Sequence, residues 1–107
     1  MKLYIVHCGF YDASDAAAIY ENHANHYVTA TSFEDAKAQV KALKQFRSKH
    51  MHIDGIQEVV AVNGYRLNLV EDLTLQGKTQ LMNLKYGSRA PQLYETAAVP
   101  QNELFPQ

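Results

Sequence analysis

The sequence predicts an α+β domain in two layers, a mixed or mainly antiparallel sheet of about five strands with one long helix packed on one face. Three observations predict it. Residues 32–49 carry an apolar stripe at helical spacing. Asn63-Gly64 stands between two strand-like runs. The chain has 107 residues, of which 47% are hydrophobic and 20% charged, which suits one folded core and excludes a disordered chain.

Residues 2–8 are rich in branched and aromatic types and read as a first strand, ended by Gly9. Asp12 to Asp15 supply turn and capping residues, and Ala16, Ala17 and Ala18 favour a short helix over residues 15–22. Asn25 ends that helix, and His26 to Ala30 return to strand chemistry. The long helix follows. Either Ser32 or Thr31 can cap it, with Glu34 and Asp35 in the first turn. Phe33, Ala36, Val40, Leu43 and Phe46 step by three and four along one face. Arg47, Lys49 and His50 close it, as the helix dipole favours.

Residues 57–62 and 65–70 flank the Asn63-Gly64 turn, where both residues tolerate positive φ. That register sets Val62 opposite Tyr65 and Val60 opposite Leu67. Val60, Val62, Tyr65, Leu67 and Leu69 are therefore expected to form a buried face that receives Phe33, Val40 and Leu43. Residues 79–86 read as a further strand. All three prolines lie beyond Gly87, so the tail is no long regular element, yet it carries Leu93, Tyr94, Val99, Leu104 and Phe105.

The whole chain, residues 1–107, is expected to be one domain with an internal echo. Ile19 to Ala24 aligns with Leu93 to Ala98, and Val6 to Phe10 with Met82 to Tyr86. On that reading residues 1–72 are one full repeat unit, and residues 79–107 are a partial second repeat and tail. A partial repeat leaves a sheet edge and apolar surface, which predicts a homodimer.

Composition excludes several classes. Lys+Arg is 10 and Asp+Glu is 11, so the net charge is −1 and a dedicated nucleic-acid binder is not expected. Lys37, Lys41, Lys44, Arg47 and Lys49 form a basic run, read as a solvated helix face. A single cysteine, Cys8, excludes an intrachain disulfide framework and paired-cysteine metal sites. No apolar run reaches a membrane-spanning length, and the start at Met1 shows no signal-peptide pattern, so a complete cytoplasmic chain is expected. Seven tyrosines and no tryptophan suit half-buried sheet faces. His7 beside Cys8 is not a nucleophile–base dyad, because neighbouring strand residues face opposite ways. Phosphate-loop, dinucleotide and serine-hydrolase signatures are absent.

Three stretches carry a family likeness. They are Glu21-Asn22-His23-Ala24-Asn25-His26-Tyr27-Val28, His52-Ile53-Asp54-Gly55 after the long helix, and Val62-Asn63-Gly64-Tyr65-Arg66-Leu67. In order and spacing the chain resembles the small bacterial proteins of domain of unknown function 1543, over roughly residues 1–72. The family pattern can contain a second copy, in keeping with the echo. The chain departs from it near Phe10, where a second glycine is usual, and in the shortened second unit. The resemblance implies a fold and no activity.

Two imidazole–carboxylate pairs are the candidate ligand-binding residues: Glu21 with His23, and His52 with Asp54. Were the two segments to meet, the cluster would suit acid–base work or a small polar ligand. The string His50-x-His52-x-Asp54 has alternate metal-ligand types, but it reads better as a helix end and a turn before Gly55. No catalytic constellation is complete and no cofactor is implied. The leading expectation is a homodimeric binding or interaction module. The alternative is a small enzyme or metal-dependent site built from Glu21, His23, His52 and Asp54.

Overall fold

The computed structural model describes residues 1–12, 19–84 and 90–97. Strand β1 (Lys2–Tyr11) is central, between β2 (Glu21–Ala30) and β3 (His52–Glu58). Both ladders are antiparallel. Alternation along β1 divides its side chains. Tyr4, Val6, Cys8 and Phe10 are buried, and the odd positions face the other way.

Helix α1 (Phe33–Lys41) covers the buried face. Ser32 caps it, its Oγ accepting from the Asp35 N–H at 3.1 Å, while Glu34 and Asp35 complement the first turn. Ala36 and Val40 enter the core with Val28, Ala30 and Met51, and Leu43 and Phe46 pack against its margin. The helix is interrupted at Leu43, whose ψ of 138° is extended, and α2 (Lys44–Ser48) resumes for one turn. Lys49, itself exposed, lies 4.8 Å from the Phe10 ring centroid, so one cation of the basic run covers the margin of the core.

Strands β4 (Ala61–Val62) and β5 (Tyr65–Arg66) pair antiparallel, with Val62 opposite Tyr65. Asn63 and Gly64 have φ of 51° and 84°. Beyond a single 3-10 turn at Leu73–Leu75, β6 (Lys78–Asn83) and β7 (Gln92–Ala97) make a third antiparallel ladder. A groove of about 880 Å³ lies between β2 and that ladder, lined in part by Tyr27, Val28, Leu81 and Tyr94.

Four expectations are corrected. The described strands form one three-stranded sheet and two separate two-stranded ladders, not a sheet of about five. The helix stripe packs on β1 and β2, not on the Asn63-Gly64 ribbon: Val60, Val62 and Tyr65 are 53%, 52% and 78% exposed, and Phe33 is 51% exposed. The ribbon has only two paired residues per strand in its sheet, too little apolar surface to compete with the longer β1. Long helix 32–49 is two helices. Finally, residues 21 and 22 are strand, and Asn25 continues it. Local propensity there favours a helix, but Tyr11 to His7 pair residue by residue with Glu21 to Asn25, and that ladder prevails. Residues 13–18, where the first half of the expected short helix falls, lie outside the described residues, as do residues 85–89 and the tail from residue 98.

Candidate functional site

The outward face of the three-stranded sheet gathers the polar residues. Gly9 pairs with His23 on one side and His52 on the other, and His7 pairs with Asn25 and Gly55. Paired residues share a face. The register of β1 against β3 shifts between His7 and Cys8, from Gly55 to Ile53, which leaves Asp54 as the extra residue of a bulge. Bulges re-aim side chains, and here the Asp54 carboxylate turns toward the imidazoles of His23 and His52.

His52 Nε2 lies 2.7 Å from Glu21 Oε1 and 3.0 Å from Asp54 Oδ1. Asp54 Oδ2 lies 3.5 Å from His23 Nδ1, which is 3.1 Å from His7 Nε2. His7 Nδ1 lies 2.7 Å from Asn25 Oδ1, so that nitrogen carries the proton and donates, leaving Nε2 as an acceptor. The His7 and His23 rings lie within 11° of parallel, centroids 4.8 Å apart. The cluster is open to solvent: the Glu21 and Asp54 side chains are about one-third exposed, those of His23 and His52 about half.

Gly9 makes room for this. A Cβ there would collide with Glu21 Oε1 and come within 2.7 Å of His52 Nε2 and 2.8 Å of Asp54 Oδ2. The charge of Asp54 acts through the sheet as well. The Cys8 thiol, buried on the opposite face, has its pKa raised first by desolvation and then by Asp54.

All four sequence candidates, Glu21, His23, His52 and Asp54, therefore meet in one place. His7, Asn25 and Gly9 join them and were not among the ligand candidates. Their signal was present in the alternation of β1, which sends His7 and Gly9 to the face opposite Val6 and Cys8. His50 does not join: it follows α2 with φ 49°, outside β3. Among the described residues two groups of three donors have their ligand atoms within 4.8 Å of one another: Glu21, His52 and Asp54, and His7, His23 and Asp54.

The family model of Domain of Unknown Function (DUF1543) matches residues 18–69. Residues 18–69 carry that domain. The matched segment supplies β2, α1, α2, β3 and the Asn63-Gly64 ladder, and so Glu21, His23, His52 and Asp54. His7 and Gly9 come from β1, before the matched segment. No curated protein and no solved structure matches the chain. Among the described residues no helix is long and apolar enough to cross a membrane.

Proposed function

We propose that the protein is a binding module for a divalent transition-metal ion, held by Glu21, His52 and Asp54. One observation carries this reading. Two carboxylate oxygens converge on a single imidazole nitrogen, at 2.7 and 3.0 Å. A neutral imidazole nitrogen offers at most one proton, which cannot serve both acceptors fully. Two carboxylates held together repel unless a cation lies between them. An ion bound tetrahedrally at about 2.0–2.2 Å spaces its nitrogen and oxygen ligands at about 3.3–3.6 Å, so these half-exposed side chains need to part by only a few tenths of an ångström to admit one. Mixed imidazole and carboxylate donors suit zinc, iron or manganese better than the all-oxygen sets of calcium and magnesium. Three side chains leave further positions on the ion for water or a small polar ligand.

Calorimetric titration of Zn²⁺ into tag-free, metal-stripped protein tests the reading. Saturable binding that weakens at least about tenfold in Glu21→Gln and in His52→Ala supports it. Binding unchanged by both substitutions overturns it.

A second reading rests on a separate observation, and makes the protein an interaction module that pairs with a second copy of itself. Met82 and Leu93 pair across β6 and β7 and are 55% and 50% exposed, and among the described residues β2 is an edge strand of its sheet. Exposed apolar ladders and unpaired edges favour association. Sedimentation at low micromolar concentration is expected to give a dimer that Met82→Asp with Leu93→Asp dissociates. A monomeric parent protein contradicts this reading.

A further inference from the structure

We infer that the cluster holds two divalent transition-metal ions bridged by the Asp54 carboxylate, one on Glu21 and His52, the other on His23 and His7. The inference deepens the proposed function and rests on it for the first ion. Asp54 faces two ways: Oδ1 lies 3.0 Å from His52 Nε2, and Oδ2 lies 3.5 Å from His23 Nδ1. Each oxygen thus belongs to a different group of three donors, and both groups close within 4.8 Å. A carboxylate shared in this way is the usual bridge of two-metal sites, whose ions lie about 3.5–4 Å apart.

The second group has the outer support that metal-binding imidazoles need. Asn25 Oδ1 accepts from His7 Nδ1 at 2.7 Å, which fixes the tautomer and leaves Nε2 bare beside His23. His23 Nδ1 lies 3.1 Å from that bare nitrogen, on the Asp54 side. The two rings are nearly parallel, so one must turn to aim its lone pair at a common ion. His23 can do so, because its side chain is 47% exposed. The bulge in β3 places Asp54 between the two halves of the site.

The experiment is metal analysis of the full chain after equilibrium dialysis against Zn²⁺, with circular dichroism as a check on folding. Two equivalents per chain are expected. His7→Ala and Glu21→Gln should each retain one equivalent, while Asp54→Asn loses affinity for both ions by at least tenfold. His23→Asn, which keeps a polar side chain on β2, should match His7→Ala. One equivalent in the parent protein overturns the second ion and leaves the first standing. Two equivalents retained by both His7→Ala and His23→Asn also overturn it, since the second ion would then lie elsewhere. No bound zinc overturns both readings.

Discussion

Gly9 and His52 face each other across the β1–β3 ladder, and a Cβ on Gly9 would lie 2.7 Å from His52 Nε2. The absent side chain is what lets donors from β2 and β3 meet over β1. Gly9→Ala is expected to fold, because Gly9 is not among the left-handed glycines and alanine suits a strand at least as well. It should nevertheless weaken Zn²⁺ binding by about tenfold or more, as when ligand orientation is disturbed. Calorimetry with undiminished affinity would show that the cluster does not need this space.

The location of the core predicts a contrast between two valines. Val40 is fully buried and Val62 is 52% exposed. Val40→Ala should cost about 2–3 kcal/mol, from lost burial and the cavity left behind. Val62→Ala should stay within about 0.5 kcal/mol. Urea denaturation of both variants checks this, and equal losses would return the core to the Asn63-Gly64 ribbon.

Much of this fold was legible. The branched and aromatic residues of 2–8 marked most of β1, although the strand runs past the expected end at Gly9 to Tyr11, and the hydroxyls of Thr31 and Ser32 before Glu34 and Asp35 marked the start of α1. The Asn63-Gly64 pair fixed a local turn and its register, because positive φ at two adjacent residues is a local requirement. Burial of that ribbon was not legible, since it depends on which sheet the helix reaches first. Glu21 to Asn25 are weak strand formers, all polar but Ala24, so only pairing with β1 makes them a strand. The candidate site was half legible for the same reason. The residue types in Glu21-x-His23 and His52-x-Asp54 were visible, but their meeting depends on the ladder and on a bulge that no local pattern announced.

His26 predicts a pH dependence. Burial lowers its pKa below the ordinary 6.5, and its Nε2 is buried without a hydrogen-bond partner among the described residues. Between the lowered value and 6.5 the unfolded chain binds the proton and the folded chain does not. Stability should therefore fall as pH drops through 6.5 toward the folded value, and be unaffected by His26 above it. Urea midpoints measured across this range should be flatter in His26→Phe than in the parent protein. Identical slopes would remove His26 as the source.

Cys8 predicts slow thiol chemistry. Its side chain is fully buried and its pKa is raised by desolvation and by Asp54, both of which disfavour the thiolate. A thiol reagent at neutral pH should label it far more slowly in the folded protein than in urea. Comparable rates would mean that the β1–α1 contact opens readily.

The most direct test is to follow the histidine ring nitrogens by NMR while Zn²⁺ is added. The account predicts that His52, together with His23 and His7, changes its ring signals in step with binding, while His26 and His50 keep theirs. A His52 ring that stays unchanged at saturating zinc, or a response confined to His26 or His50, would contradict it.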